Sequence, residues 1–380
     1  MMLTLSIVGL ALALLPTLMT IVNLPQFCTK RQSRETELFG QANTSAVPKV
    51  SILIPARNEE SGIDLCIQHA VGSQGVELEI IILDDHSTDG TREKVSIWER
   101  NHSSVRLLLS KPLPDDWNGK QHACFQLSQE AKHPNLLFLD ADVRLNTNGV
   151  SELIHYQTTN RLDLLSAFPK QETGTWLESW LIPMMHLILL GYLPFYRMRS
   201  SSDASYAAGC GQIFLTTKYS YKKSGGHESI RDSRHDGLLL PKAYRRAGLR
   251  TDVIDGTNLA TCRMYHNAKE MIGGVLKNAH EGIARNRLIV PFTVLLLGGT
   301  ALPLATLMLG LSKNNSIVVT LSILALITTH LQRIITAHQF RQNRIAVLFH
   351  LPAMFLFVSL QWCAFVMHHV GYKLAWRGRA

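Results

Sequence analysis

Asn135-Leu-Leu-Phe-Leu-Asp140-Ala-Asp142 decides the fold. Four apolar residues run straight into two carboxylates spaced one apart. Such a run reads as a buried strand whose C-terminal end opens into a cleft. Side chains alternate along a strand, so Asp140 and Asp142 share a face if the extended backbone continues. Two carboxylates on one side repel unless a cation lies between them. Hard oxygen ligands suit Mg²⁺ or Mn²⁺, ions that usually bridge to the phosphates of a substrate.

Working outward, strands and helices alternate. Val50 to Ile54 reads as a strand stopped by Pro55-Ala-Arg-Asn-Glu59, and Ser61 to Gly72 as a helix with Ser61 as its cap. Leu78 to Leu83 is a second strand, ending in Asp84-Asp85-His86-Ser87-Thr88-Asp89-Gly90, with a helix behind it to Arg100. Val105 to Leu109 is a third strand, Gly119 to Ala131 a helix, and Asn135 to Leu139 the fourth strand. The alternation predicts an α/β domain with a mostly parallel sheet and helices on both faces. Ligands of such sheets bind beyond the carboxyl ends of the strands, and Glu59, Asp85, Asp140 and Asp142 all lie at such ends. Asp163 to Phe168 and Thr251 to Ile254 read as further strands, and Leu238 to Ala247 as a helix stopped by Gly248.

The ends of the chain are apolar. Residues 1–25 read as a transmembrane anchor rather than a signal peptide, since no basic n-region precedes the apolar run Met2 to Leu24 and basic residues follow it. Residues 26–47 read as a linker, 48–260 as the catalytic domain, 261–287 as an interfacial segment, 288–370 as a three-span bundle and 371–380 as a tail. The spans are Leu288–Leu311, Ile317–Ile334 and Ile345–Val370. Lys30, Arg31 and Arg34 put the domain on the cytoplasmic side, with Arg333, Arg341 and Arg344 facing the same way. Lys373, Arg377 and Arg379 then face outward, so either the tail is tolerated or one span is re-entrant. Trp176 to Tyr196 is apolar and aromatic but broken by Glu178, Pro183 and Pro194; it lies at the membrane interface or forms a buried helical hairpin. The net charge of +9 fits nucleic acid or anionic lipid. Basic residues beside the apolar ends, including Arg285 and Arg287, favour the lipid bilayer as partner and no nucleic acid. Six scattered cysteines outline neither a zinc site nor a disulfide frame.

The chemistry follows from these positions. A metal held by Asp142, with Asp140 beside it, suits a diphosphate leaving group whose growing charge it neutralises. Lys120 opens a helix where backbone N–H groups attract anions, and is a candidate phosphate contact. Glu59 and Asp85 are acceptors suited to the N–H and hydroxyl groups of a nucleoside. Asp236 is the candidate base that takes the proton of an acceptor hydroxyl, with His227 and His235 as rivals. Gly209 and Gly211 let the backbone approach a ligand closely or form a bulge.

Four ordered motifs carry a resemblance. Over residues 48–260 the chain resembles a family 2 glycosyltransferase of the GT-A fold. Pro55-Ala-Arg-Asn-Glu59 resembles that family's P-x-x-N-E, Asp84-Asp85-His-Ser87-Thr88-Asp89 its D-D-x-S-x-D, and Asp140-Ala-Asp142 its D-x-D. Arg234-His-Asp236 stands where the family has an acidic base, written E-D or D-D. The span layout resembles the lipid-directed carotenoid, hopanoid-associated and ceramide members, and Trp117-Asn-Gly119-Lys120 is similar to the carotenoid and hopanoid-associated group. The resemblance implies a nucleotide sugar donor, usually UDP-linked, bound by Pro55, Ala56, Glu59, Asp85, Lys120, Asp140 and Asp142. It implies Mg²⁺ or Mn²⁺ on Asp140 and Asp142, and Asp236 as base of a single inverting displacement. A membrane lipid is the expected acceptor, with Trp180, His227 and Gly209 as acceptor-side candidates. Two features depart from the pattern. His235 replaces an acid before Asp236, and Arg263-Met-Tyr265 occupies the region of the family's Q-x-x-R-W without its tryptophan. An exported-polysaccharide synthase and a non-catalytic sugar-nucleotide-binding membrane protein are the rival readings, and spans too few and too free of intramembrane charge argue against a transporter.

Overall fold

The computed structural model describes residues 1–28 and 47–371. The expected linker of residues 26–47, with Lys30, Arg31 and Arg34, lies mostly outside the described residues, as does nearly all of the 371–380 tail. The chain forms two compact units, Phe27–Glu172 with Phe195–Met264, and Met1–Gln26 with Thr173–Pro194 and Tyr265–Ala380.

The first unit is an α/β domain. Its strands are β1 (Lys49–Ala56), β2 (Glu77–Asp84), β3 (Val105–Leu109), β4 (Asn135–Leu139), β5 (Val143–Leu145), β6 (Leu164–Gln171), β7 (Ile213–Thr217) and β8 (Thr251–Cys262). They form one sheet in the order β3-β2-β1-β4-β7-β6-β8-β5. The β1–β2, β1–β4, β2–β3 and β6–β8 pairs are parallel; β7 runs antiparallel to both β4 and β6, and β5 to β8. Strand alternation divides the core. Val50, Ile52, Ile54, Ile80, Ile82, Leu137 and Leu139 fill one side, against the Ile63–Val71 and Gly149–Thr159 helices. Leu53, Ile81, Leu83, Leu136 and Phe138 fill the other, against Ala123, Cys124 and Leu127 of the Gly119–Glu130 helix and Leu240 and Tyr244 of the Asp236–Arg246 helix. β1, β2 and β4 are therefore apolar on both faces, as a covered parallel sheet requires.

Several expectations change. Ser61 is not a helix cap: the helix starts at Ile63 with Gly62 at the cap position and no side-chain bond there. β8 continues through Cys262, eight residues past Ile254, because its far half pairs with β5 and rejoins β6 after an irregularity at Pro169/Lys170. The interfacial segment therefore cannot begin at 261. The backbone does not stay extended through Asp140-Ala-Asp142; the Val143 N–H returns to the Asp140 carbonyl at 3.1 Å and closes a turn. Gly225-Gly226, which the sequence suggests as a flexible turn before Asp236, is a left-handed corner (φ 78 and 51) with Gly226 packed under the Tyr221 ring.

The second unit is helical. Met2–Phe27, Ser316–Gln339 and Ile345–His369 are long and apolar enough to cross a membrane, the last beginning with a short 3-10 turn. Leu288–Leu311, expected as one clear span, is a pair of helices, Ile289–Gly298 and Ala301–Ser312, bent by 45°. The break falls at Gly299-Thr300, where the Thr300 hydroxyl donates back to the Leu296 carbonyl at 2.9 Å. Glycine beside a back-bonding hydroxyl is an ordinary cause of a kink. Trp176 to Tyr196 breaks into Trp176–Leu181, Met184–Tyr192 and the start of Phe195–Ser200. Leu177, Leu181, Met184 and Leu187 pack with Met271, Met354 and Phe357, which is the buried alternative for that stretch. Within 261–287 the helix is Ala268–Ala279, and it turns Met271, Ile272, Val275 and Leu276 into the same cluster. Arg333, expected to face the cytoplasm, is 1% exposed, its guanidinium turned inward to Gln342.

Gly226 tests the left-handed corner. A Cβ there would stand 2.3 Å from the Tyr221 ring, whereas at Gly248 (φ 75) it would meet nothing within 4 Å. Gly248→Ala should lose only the backbone penalty of about 1–2 kcal/mol. Gly226→Ala should lose that plus about 1–3 kcal/mol of overpacking, a difference readable in the melting temperatures of the two purified variants.

Candidate active site

The carboxyl ends of β1, β2 and β4 gather most of the residues singled out in the sequence. Pro55 and Ala56 close β1, and the Ala56 carbonyl accepts the Asp85 N–H at 2.8 Å. The loops after β1 and β2 interlock. The Asn58 N–H donates to Ser87 Oγ at 3.0 Å, the Thr88 N–H to Asn58 Oδ1 at 2.8 Å, and the Glu59 N–H to Thr91 Oγ1 at 2.8 Å. Asn58 and His86 take left-handed backbone angles, φ 53 and 57. Two motifs that read as separate acidic loops thus form one bonded rim. Asp85 is buried, and Arg57 donates to its carbonyl at 2.5 Å with a second Arg57 contact to its carboxylate at 3.7 Å. Glu59 is half-buried at the same rim.

Lys120 joins this rim to the later part of the chain. Asn118 caps the Gly119–Glu130 helix, its side chain accepting the Lys120 N–H at 3.1 Å. The Asn118 N–H in turn donates to the Arg231 carbonyl at 2.6 Å, and Arg231 pairs with Asp116 at 2.9 Å. The loop before Lys120 is therefore tied to the loop before Asp236. Lys120 Nζ lies 2.7 Å from Asp140 Oδ1, 2.9 Å from Asp236 Oδ2 and 3.2 Å from the Gly211 carbonyl. One ammonium thus bridges the first acid of Asp140-Ala-Asp142 and the candidate base.

Asp236 opens its helix, where the dipole favours a negative charge, and its Oδ1 accepts the Gly237 N–H at 2.7 Å. It is 7% exposed. Burial alone would raise its pKa; the Lys120 charge more than offsets that and holds the carboxyl below the usual range. Asp140 goes the other way. Burial pushes it up, Lys120 pulls it down, and Asp142 and Asp236 push it up again, to about 6. Burial would lower the Lys120 pKa, but Asp140 and Asp236 carry it well above its ordinary value. Asp142 is half-buried; its carbonyl accepts the Arg263 N–H at 3.3 Å.

Other candidates fall elsewhere. His227 is 1% exposed, its ring edge-on to Phe138 at 4.6 Å and its Nδ1 2.9 Å from the Tyr221 hydroxyl. Burial takes its pKa down to about 3, so it is a neutral core histidine, at odds with a role against an acceptor. Gly209 is small for packing: a Cβ would stand 2.9 Å from Phe214 and 3.1 Å from Pro241. Trp180 belongs to the helical unit, stacked on Phe349 at 5.3 Å. The close approach is made at Gly211, where a Cβ would stand 2.1 Å from Asp236 Oδ1. Sequence reasoning passed over that contact, as it did Arg57 inside Pro55-Ala-Arg-Asn-Glu59 and Arg231 beside the base loop.

Asp140 and Asp142 fit a divalent cation by chemistry. Mg²⁺ and Mn²⁺ need one or two carboxylates and take their other ligands from water and phosphate. Among the described residues no three His, Cys, Asp or Glu side chains gather into a cage.

Comparisons with known proteins bear on the same region. Residues 51–224 match the model of Glycosyl transferase family 2. The chain is 30% identical over 218 residues to the 4,4'-diaponeurosporenoate glycosyltransferase of Staphylococcus aureus, a match covering 57% of this chain and 56% of the relative. The chain thus spans little more than half the length of that relative. A solved mannosyltransferase of Pyrobaculum calidifontis, in complex with GDP-Man and Mn²⁺, superposes with a TM-score of 0.51 at 14% identity, covering 97% of this chain and 100% of that one. It shares the fold.

Lys120→Met leaves two neighbouring carboxylates without their cation. It should cost at least about 2 kcal/mol at neutral pH, short of the roughly 3–5 kcal/mol for breaking a fully buried pair, because Lys120 and Asp140 keep some exposure. The deficit should shrink toward pH 5 as the carboxylates take protons. The wild-type signs are opposite for the two acids. The Asp236 contribution is present above the unfolded value of 3.8 and is lost as pH falls through its lowered folded value. The Asp140 proton stabilises below about 4 and is gone above about 6. Melting curves of both proteins from pH 4 to pH 8 check this.

Proposed function

From a chain whose residues 51–224 form a Glycosyl transferase family 2 domain, we propose a membrane-bound, inverting, metal-dependent glycosyltransferase. It moves a sugar from a nucleotide diphosphate sugar, UDP-linked in this reading, to a lipid hydroxyl on the cytoplasmic face. The observation that carries the reading is Lys120 between Asp140 and Asp236. A donor end and an acceptor end of one reaction must lie within reach of each other, and a single side chain touches both acids.

The roles follow from the chemistry of each group. The bonded rim of Pro55, Ala56, Glu59 and Asp85 takes the nucleoside, with Glu59 and Asp85 as acceptors for its N–H and hydroxyl groups. Asp142 and Asp140 would hold Mg²⁺ or Mn²⁺, which would supply positive charge against the leaving diphosphate. Lys120 adds a second positive charge for the same phosphates. Asp236, ionised and at the head of its helix, takes the proton of the acceptor hydroxyl as that oxygen attacks the sugar carbon. While Lys120 bonds Asp236, the carboxylate is a weak base. Contact of Lys120 with the diphosphate relieves that hold, so the base strengthens when donor is present.

A lipid acceptor is supported by the helices long and apolar enough to cross a membrane and by a relative named for 4,4'-diaponeurosporenoate. The cytoplasmic side rests on Lys30, Arg31 and Arg34.

Asp236→Asn keeps the shape and removes the proton acceptor. Donor binding should stay near wild type while turnover falls by about 10²–10⁴-fold, the usual worth of a positioned base. Asp142→Ala should lower turnover at least about a hundredfold and abolish rescue of chelated enzyme by Mn²⁺. Full activity of Asp236→Asn would remove the base assignment, and full activity in excess chelator would remove the metal.

A further inference from the structure

The helical unit contains a buried cation that no acid among the described residues meets. Arg333 lies in the Ser316–Gln339 helix and is 1% exposed. Among the described residues its hydrogen bond is one, from Nη1 to the Gln342 side-chain oxygen, while Nη2 is buried without a partner. A guanidinium carries five N–H donors and stays charged at any ordinary pH. Long basic side chains near the end of a span normally extend to the headgroups; this one turns inward.

Polar groups surround it. The Gln342 side-chain nitrogen lies 3.4 Å from His186 Nδ1, and His186, 2% exposed, stacks on Phe340 at 4.1 Å. His350 heads the next helix and is 1% exposed, with neither ring nitrogen hydrogen-bonded among the described residues. None of these groups is anionic. From Gly282 to Ala380 the sequence has no Asp or Glu. Elsewhere in the unit, Glu178 accepts from the Gly174 N–H and the Thr175 hydroxyl, Glu270 accepts from the His266 N–H and Asn267, and Glu281 is engaged in turn. Among the described residues no carboxylate pairs with Arg333, and an unpaired buried charge is strongly unfavourable.

We propose that Arg333, with Gln342, His186 and His350, forms a binding site for an oxyanion, phosphate or carboxylate, carried at the headgroup of an amphiphile. A guanidinium fork matches either oxyanion with two parallel N–H···O bonds. Gln342 and the His350 ring add further N–H donors. The depth suits a headgroup. Arg333 lies six residues inside the end of its helix at Gln339, about 9 Å along the axis at roughly 1.5 Å per residue, where acyl chain gives way to headgroup. This inference rests on the unit lying in a membrane and not on the transfer reaction.

The test uses the full chain in nanodiscs and reads melting temperature, since a ligand bound only by the folded state raises it. Wild type should melt several degrees higher in phosphatidylglycerol discs than in phosphatidylcholine discs. Arg333→Met should fold and melt at or above wild type in phosphatidylcholine, because it removes an unpaired charge, and should gain nothing from phosphatidylglycerol. Arg333→Lys should keep part of the gain. Millimolar inorganic phosphate added to phosphatidylcholine discs separates the sources. A gain there that Arg333→Met abolishes keeps the oxyanion site and makes its occupant a free anion; no gain there makes it the lipid headgroup. The proposal is overturned if wild type responds to neither, if Arg333→Met responds as wild type does, or if Arg333→Met fails to fold in phosphatidylcholine, since the guanidinium would then be structural.

Discussion

One ammonium group between two carboxylates holds the site together. Lys120 reaches Asp140 from the end of β4 and Asp236 from the head of a late helix. Without a cation at that point, two neighbouring acids would repel across a small gap and oppose the approach of the turn at Asp140 to the helix at Asp236. The other contacts serve that approach. Gly211 leaves room for the Asp236 carboxylate and lends its carbonyl to Lys120. Asn118 and Arg231 tie together the loops that carry the lysine and the acid. The opposed shifts of Asp140 and Asp236 are the electrostatic consequence, since one positive charge cannot fully neutralise both.

The first half of the sheet was legible because its information is local. An apolar run that ends in charge fixes both ends of a strand, and Val105–Leu109 and Asn135–Leu139 fall where the pattern puts them. β8 was not legible beyond Ile254. Its length depends on β5 and β6, partners far away in the chain, and nothing in Asp255-Gly-Thr257 announces that pairing. The site divides in the same way. Its acids stand out at strand ends, where unpaired charge is conspicuous. The bridge between Lys120 and Asp236 depends on how the sheet brings β4 and β7 together, and a lysine at the head of a helix looks like any solvated lysine. His227 misled for the opposite reason: a histidine beside two glycines resembles a loop base, yet Phe138 and Tyr221 bury it.

In the helical unit, composition identified the apolar runs but not their geometry. The bend at Gly299 and the inward turn of Arg333 both depend on neighbouring helices, so charge counting alone assigned Arg333 to the aqueous side. The unit also has a chemical asymmetry that the sequence does display, a long stretch with basic and no acidic residues. Such a stretch can balance its charge only against anions from outside, and an anionic bilayer surface supplies them.

The central claim is that the Lys120, Asp140 and Asp236 cluster serves transfer of a sugar to a lipid. The most direct measurement supplies purified full-length protein with a panel of labelled nucleotide sugars, a divalent cation and a total lipid extract, and then partitions the products between organic solvent and water. The account predicts label in the organic phase, released from one donor, and lost when Lys120 or Asp236 is replaced. Label found only in water, as free sugar or as polymer, would contradict the lipid assignment, and binding of every donor without turnover would contradict the enzyme itself.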